Sequence, residues 1–327
     1  MTTARIAVLA GGYSSEYTIS LHSAAQVMEH LDRRRWEPWL IHIEREGWYW
    51  ESPEGKKVAV DRNDFSLPLP QGRITFDAVM PVIHGTPGED GLLQSYFEML
   101  GIPYTGCDPF VSALTFNKYA CKLYLEKHHV ATASSLLVRK VPGWIPPDTG
   151  DMRYPLFVKP NTSGSSFGVS KIAAPREMMG ALRKAFEESD EAIIEEFVKG
   201  TEVSCGVLKT ADREIVFPPT EIVSKKEFFD YEAKYTEGMA EEITPARLPE
   251  ERIELIRETA SYIYSVLGCR GIVRVDFILQ GNTPWFLEVN TIPGLSRESI
   301  IPRQAQVFGI SMKELLTLVL EDALSRR

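Results

Sequence analysis

The chain is poor in cysteine. Only Cys107, Cys121, Cys205 and Cys269 occur among 327 residues, and none stand in C-x-x-C spacing. That scarcity argues against a disulfide framework or a thiolate metal site and for reduced, metal-free thiols. The six histidines are scattered, and the adjacent His128-His129 cannot both face one site on a regular element. Apolar runs such as Leu136-Leu137-Val138 and Gly271-Ile272-Val273 fall far short of the roughly 20 residues of a membrane span. Arg5 and Gly11-Gly12 bound the one N-terminal apolar segment, Ile6 to Ala10, so no signal peptide is expected. The expectation is a cytoplasmic protein with no membrane partner. Positive charge is also short: 36 Lys and Arg against 45 Asp and Glu leave a net −9. Nucleic acid is therefore not an expected partner, although a small anion could still sit in a locally basic cleft. Internal repeats and low-complexity segments are missing.

What is present reads as a globular α/β chain. Apolar residues make up 44% and charged residues 25%, and the length suggests two or three domains. The start reads as strand (Ile6-Ala7-Val8-Leu9), glycine turn and helix, the last with a stripe at Leu21, Ala24, Ala25, Met28 and Leu31. Trp39 to Ile41 and Ala78 to Ile83 read as further strands of a parallel sheet, whose ligands gather beyond the strands' carboxyl ends. Segments Gly11 to Glu16 and His84 to Asp90 would lie there. Ser112 to His128 looks helical. After Pro155 strands dominate: Leu156–Lys159, Ala192–Phe197, Val203–Leu208 and Glu214–Phe217. A long helix should follow Pro249, with Ile253, Ile256, Ala260, Ile263 and Leu267 on one face and Gly268 as its stop. Strands Gly271–Leu279 and Trp285–Asn290 come next, then a final helix from about Ser311.

The chemistry concentrates in that last strand pair. Arg274 and Asp276 are two apart, as are Glu288 and Asn290, so each pair shares a strand face. Pairing 276 with 288 would bring all four together. A two-residue turn at 281 and 282 would instead pair 276 with 287 and split the set, so the proposal fixes the register. Val273, Val275, Phe277, Trp285, Leu287 and Val289 would fill the other side. Asp, Glu and Asn are hard oxygen donors of the kind Mg²⁺ takes alongside substrate phosphates, and Arg274 would add a cation for a transferring phosphoryl group. A solvated sheet face with cross-strand charge pairs is the plainer alternative.

Lys159-Pro160-Asn161-Thr162-Ser163-Gly164-Ser165-Ser166-Phe167-Gly168 follows a strand. It offers a cation and accessible backbone N–H groups, the chemistry of a phosphate cover. It is not the Walker pattern G-x-x-x-x-G-K-[ST]. Ala10 to Ser15 likewise lacks the G-x-G-x-x-G of a dinucleotide oxidoreductase. A pure binding module would not need a metal triad beside an arginine.

Strand-Lys-Pro-(Gly/Ser loop), Glu195-Glu196-Phe197-Val198, Arg-x-Asp and Glu-x-Asn resemble the ATP-grasp superfamily of carboxylate–amine ligases. With Gly12 to Ser20, His84 to Gly91, Phe229 to Tyr235 and Asn290-Thr-x-Pro-Gly294, the chain resembles the D-alanine–D-alanine ligases across residues 6 to 302. The resemblance implies a Rossmann-like parallel-sheet N-terminal α/β domain (1–105) and a two-lobed α+β ATP-grasp fold (106–196 and 197–327). It implies ATP as substrate, two Mg²⁺ ions with Mn²⁺ able to substitute, D-alanine as the other substrate, and a homodimer. Lys118 and Lys159 would meet ATP phosphates; Glu195, Glu196, Phe197 and Val198 would read adenine; and Glu202 would bind ribose. Asp276, Glu288 and Asn290 would hold metal, with Asn290 also beside the nucleotide.

Glu16, assisted by His84, would anchor the first D-alanine, in a hydrogen-bonded set with Ser165 and Tyr235. Lys234 would reach the γ-phosphate from a lid spanning 224–239. Ser299 would hold the second substrate's carboxylate. Arg274 and the Gly294 N–H would stabilise the oxyanion of a D-alanyl phosphate attacked by an amine. Phe229, Ser163 and the Leu-Ser-Arg-Glu-Ser run after Gly294 depart from the family pattern and touch loop contacts. The resemblance leaves D-lactate or another D-amino acid open as the second substrate, although Lys234-Tyr235 favours a dipeptide.

Overall fold

The computed structural model describes residues 3–164, 167–224 and 240–326. Its first sheet is built on β1 (Ala4–Gly11), an almost wholly apolar strand buried from Ile6 onward. β1 pairs in parallel with β2 (Trp36–Ile43) and with β7 (Ala78–Pro81). Helix α1 (Tyr17–His30) provides the crossover that parallel pairing needs. The parallel sheet expected from the sequence is only partly parallel. β3 (Trp48–Glu51) and β4 (Lys57–Ala59) add antiparallel edge strands, because the tight turn between Glu44 and Gly47 is too short for a crossover. β5 (Leu67–Leu69) and β6 (Gly72–Ile74) form a separate hairpin. Trp39, Trp48 and Trp50 pack with Phe65 and Phe76 in an aromatic layer.

Of the expected α1 stripe, Ala24 and Leu31 are buried and Leu21 and Met28 pack against the same core, while Ala25 faces solvent. The helix also buries Ser20, Ser23 and Val27. Ser20 Oγ accepts from Gly11 N at 2.9 Å and donates to Val82 O at 2.7 Å, which ties the helix start to two strand ends.

The helical run expected over Ser112 to His128 is broken in two. α3 (Pro109–Phe116) and α4 (Lys118–Glu126) meet at Asn117, whose side chain caps α4 by accepting from Ala120 N. Asp108 caps α3 in the same way. α2 (Leu92–Leu100) precedes them, after Gly91.

The second sheet has the order β10-β9-β11-β8, with β8 (Ser135–Arg139), β9 (Leu156–Pro160), β10 (Ser170–Ile172) and β11 (Glu191–Glu196), backed by α5 (Met178–Ala185). The third has the order β15-β14-β12-β16-β17. It comprises β12 (Thr201–Lys209), β14 (Thr220–Ser224), β15 (Ala240–Ile243), β16 (Gly271–Gln280) and β17 (Thr283–Asn290), with β13 (Glu214–Val216) on β12.

α6 (Glu250–Leu267) lies across this third sheet and buries Ile256, Ala260, Ile263, Tyr264 and Leu267. It ends at Gly268, in the left-handed region (φ 72°) that glycine enters without a Cβ penalty. α3 and α4 pack into the same core as α6. α7 (Ile300–Phe308) and α8 (Met312–Ser325) close the chain, the latter through a Ser311–Glu314 capping box. Leu315, Leu316, Val319 and Leu320 of α8 join α1 and β1 in one core, which returns the last helix to the first sheet. Among the described residues no helix is long and apolar enough to cross a membrane.

Ile263 is fully buried between α6 and the third sheet. Replacing it with alanine should lower unfolding stability by about 2–5 kcal/mol, measured by urea titration followed by circular dichroism.

Candidate active site

The strand pair β16–β17 carries the site. Arg274 lies opposite Asn290 and Asp276 opposite Glu288, so the four polar residues share a face as proposed. The turn is nevertheless the two-residue one, since Gln280 pairs with Thr283. A bulge reconciles the two: Phe277 pairs with Phe286 and Asp276 with Glu288, leaving Leu287 as an extra residue on β17. The expected apolar face is corrected as well. Phe286 enters the core beside Phe277, while Trp285 and Leu287 turn to the cavity.

Asp276 is the hub of this face. Its Oδ1 accepts from Ser204 Oγ on the neighbouring β12 at 2.6 Å and from Arg274 Nε at 2.8 Å. Its Oδ2 accepts from a second Arg274 nitrogen at 2.7 Å and from Asn290 Nδ2 at 3.0 Å. Burial works against the Arg274 charge, but Asp276 and Glu288 outweigh it and hold the guanidinium above its ordinary value. Lys118 Nζ stands 3.4 Å from Glu288 Oε2 and donates to Ser163 O at 2.5 Å, joining α4, the Lys159–Gly168 loop and β17. Among the described residues, no three His, Cys, Asp or Glu side chains gather into a metal cage. Asp276, Glu288 and the Asn290 amide oxygen do fit Mg²⁺ as a partial set that substrate phosphates would complete.

Every expected site residue within the described segments lines one cavity of about 630 Å³ between the three sheets. Glu16, His84, Lys118, Lys159, Glu195, Glu196, Phe197, Val198 and Glu202 are there with Arg274, Asp276, Glu288, Asn290, Gly294 and Ser299. Ser165, Lys234 and Tyr235, with Phe229 and the rest of the expected lid from 225 to 239, lie outside the described residues.

Glu195 is clasped by two lysines: Lys159 holds one carboxylate oxygen and Lys122 the other. Burial opposes its ionisation, but the two ammonium charges prevail and hold it down at about 2. Phe197 sits against Phe157, with Lys171 over its ring. Glu196 accepts from Arg153 N at 2.8 Å.

The opposite end of the cavity is a buried polar joint between α1, the 84–89 loop and the 292–295 loop. Glu16 occupies the N-cap position of α1 without a side-chain capping bond. Its carboxylate packs on Gly164, where a Cβ would come within 2.3 Å of Oε2. Any larger residue at 164 would displace that carboxylate. His84 Nδ1 donates to Ile292 O at 3.0 Å, and Nε2 therefore accepts from Ser23 Oγ at 3.2 Å. Ser23 Oγ in turn accepts from Leu295 N at 3.3 Å. Burial lowers the His84 pKa and favours this neutral imidazole. The same hydrogen bonds also hold the 292–295 loop, which carries Gly294. Gly294 approaches Ser299 so closely that a Cβ would lie 2.7 Å from the serine oxygen, and Ser299 Oγ shares a hydrogen bond with Ser296 Oγ at 2.8 Å.

This arrangement has relatives. The family models described as "D-ala D-ala ligase N-terminus" and "D-ala D-ala ligase C-terminus" match residues 5–107 and 143–321. The chain belongs to the D-alanine–D-alanine ligase family. The D-alanine–D-alanine ligase of Phocaeicola vulgatus is 46% identical over 321 residues, 97% of this chain and 98% of that protein. Among solved structures, the VanG D-Ala:D-Ser ligase of Enterococcus faecalis superposes with a TM-score of 0.86 at 33% identity, covering 98% of this chain and 99% of that one. The Bacillus anthracis D-alanine–D-alanine ligase complexed with ATP gives 0.79 at 26% identity, covering 99% and 98%. The ATP-grasp architecture expected from the motifs is the architecture of these family members.

Three residues of this family site escape a motif reading. Ser204 braces Asp276 and Lys122 braces Glu195. Glu89 is buried in the cavity wall. Its Oε2 accepts from Gly85 N at 2.8 Å and its Oε1 from Ile292 N at 3.4 Å. Period-two spacing from Glu202 could have flagged Ser204. Nothing local marks Lys122 or the depth of Glu89, which depend on chain segments far apart in sequence.

Burial and the nearby Glu16 charge push Glu89 from the ordinary 4.5 up to about 8. The folded protein therefore keeps a proton that the unfolded chain loses. The stability this contributes is complete below about 4.5 and lost as pH rises through about 8. Glu195 acts oppositely: its contribution is present above 4.5 and lost as pH falls toward about 2. The variant Glu89→Gln should thus flatten the decline in stability between pH 5 and pH 8, measured by denaturant titration at each pH. A decline equal to that of the wild type would reject the shift.

Proposed function

We propose that the protein joins two molecules of D-alanine into D-alanyl-D-alanine at the expense of ATP, through a D-alanyl phosphate, for peptidoglycan precursor synthesis. The observation that carries the residue-level reading is the convergence of Asp276, Glu288 and Asn290 with Arg274, Lys118 and Lys159 on one cavity.

The physical logic begins with the substrate. A carboxylate is a poor acyl donor because its leaving group would be oxide; phosphorylation supplies phosphate instead. Phosphoryl transfer is governed by charge neutralisation and in-line positioning. Lys118 and Lys159 would meet the nucleotide phosphates, with Lys234 closing from the segment 224–239. Asp276, Glu288 and Asn290 would hold two Mg²⁺ ions, which when bound supply charge stabilisation to the phosphate oxygens. Glu195 to Val198 would receive the adenine, and Glu202 the ribose.

Glu16 would bind the ammonium of the first D-alanine, oriented with Ser165 and Tyr235, while His84 shapes the wall behind it. Ser299 would hold the carboxylate of the second. Its amine, once deprotonated, attacks the acyl carbon. The Gly294 N–H and Arg274 would stabilise the oxyanion. Excluding water protects the acyl phosphate from hydrolysis, a task suited to the 224–239 segment.

A three-part division at about residues 105 and 196 fits this reading, each part contributing one wall. A cytoplasmic place is consistent with four buried free cysteines and a need for ATP. A homodimer is also part of the proposal. Leu92, Met99 and Phe110 are exposed on the adjoining helices α2 and α3 and would suit a second copy. Light scattering should then give twice the chain mass.

The deciding assay offers ATP, Mg²⁺, D-alanine and D-lactate together and identifies the product by mass. D-alanyl-D-alanine is expected; a depsipeptide would favour the alternative hydroxy-acid ligase. Glu288→Gln should abolish D-alanine-dependent phosphate release, and normal turnover would remove the metal assignment. Tyr235→Phe should raise KM for the first D-alanine and admit some D-lactate. Unchanged KM and selectivity would count against that role.

A further inference from the structure

Lys122 is 1% exposed and is not among the side chains that line the cavity. It sits on α4 one turn after Lys118, with its Nζ donating to Ala133 O at 2.8 Å and to one oxygen of Glu195. The other Glu195 oxygen holds Lys159, the lysine that opens the phosphate-covering loop. The side chains of Glu195 and Lys159 are 8% and 13% exposed. The result is a buried row of cation, anion and cation, in which Lys159 and Glu195 border the space where nucleotide would lie and Lys122 does not.

This row creates a partner conflict. In the structure the Lys159 charge is engaged by Glu195, yet Lys159 must face phosphate oxygens if ATP is to be gripped there. Were Lys159 the sole counterion of Glu195, its departure would strand a buried carboxylate, a strongly unfavourable state. Lys122 removes the obstacle. It approaches Glu195 from the protein side, and the Ala133 carbonyl holds it there as well, so it has no reason to move when Lys159 does.

We infer that Lys122 is a positioning residue, the standing counterion of Glu195 that releases Lys159 to the nucleotide phosphates and keeps the Glu195 carboxylate aimed at the base. This rests on the reading that Lys159 meets phosphate. It deepens that reading by naming what makes the exchange of partners possible. Lys118 does not share the device, because it is shared between the Ser163 carbonyl and Glu288.

The test compares wild type, Lys122→Met, Glu195→Gln and the double variant by calorimetric titration with Mg·ATP, alongside KM for D-alanine. In Lys122→Met, Glu195 should retain Lys159 and ATP affinity should fall about tenfold or more, while KM for D-alanine stays near wild type. In the double variant no carboxylate competes for Lys159, so ATP should bind more tightly than to Lys122→Met alone. A lysine that merely fills space would not be rescued this way.

ATP affinity of Lys122→Met equal to wild type, or a double variant no tighter than the single, overturns the inference. Should the variants not fold, the wild-type protein crystallised with Mg·ADP decides. Lys122 should remain on Glu195 while Lys159 has moved to a phosphate; Lys159 still seated on Glu195 overturns the inference. Wild type that binds no ATP would instead remove the functional reading itself. Binding by wild type with no response in Lys122→Met removes this inference alone.

Discussion

The cross-strand alignment of Asp276 with Glu288 is the constraint on which the rest of the site depends. It is bought by a single extra residue. A two-residue turn closes the hairpin in a register that would put the two carboxylates on opposite faces, and the bulge at Leu287 shifts the strand by one to bring them together. Because side chains alternate with period two, that one residue decides whether the oxygen donors converge or diverge. On the turn side of the bulge the two-residue register already sends Phe286 into the core and Trp285 to the cavity. Turn and bulge together therefore assemble the apolar wall and the polar face beside it.

Around that hairpin, buried charge is balanced locally. Arg274 and Asn290 both donate to Asp276, Lys118 faces Glu288, and Glu195 lies between two lysines. The Arg274–Asp276 and Lys118–Glu288 pairs are neutral, as burial in a medium of low polarity favours, while the Lys122–Glu195–Lys159 row keeps a net positive charge beside the cavity. The units also hold their charges poised rather than spent, since oxygen atoms and ammonium groups stay at the cavity surface. The far wall follows a different rule. There Glu89 sits deep beside Glu16, two acidic groups in one small volume, and keeping a proton on one of them relieves the repulsion. Neutral His84 and Ser23 carry the hydrogen bonds that tie the N-terminal domain to the loop bearing Gly294.

Much of the fold was legible because its signals are local. The α6 stripe with its Gly268 stop, the start of the last helix near Ser311 and the strand–turn–helix opening each follow from spacing within one segment. Legibility failed where distant partners overrule local pattern. α1 turned its serines inward because strand ends and the 292–295 loop offered them hydrogen bonds. The helix through Asn117 broke because that side chain caps α4 and also accepts from Asn161, 44 residues away. The antiparallel edge of the first sheet came from a turn too short to cross over.

By itself the sequence determined which residue types the site would use and the order in which they enter it, since motif, spacing and strand alternation are properties of short stretches of chain. Only the tertiary structure decided which charge answers which. The bulge that aligns Asp276 with Glu288, the lysines that share Glu195 and the burial that keeps Glu89 protonated arise from segments far apart in the chain. Such couplings have no local signature, because electrostatic partnership and desolvation depend on three-dimensional proximity, which is settled only when the sheets and helices pack.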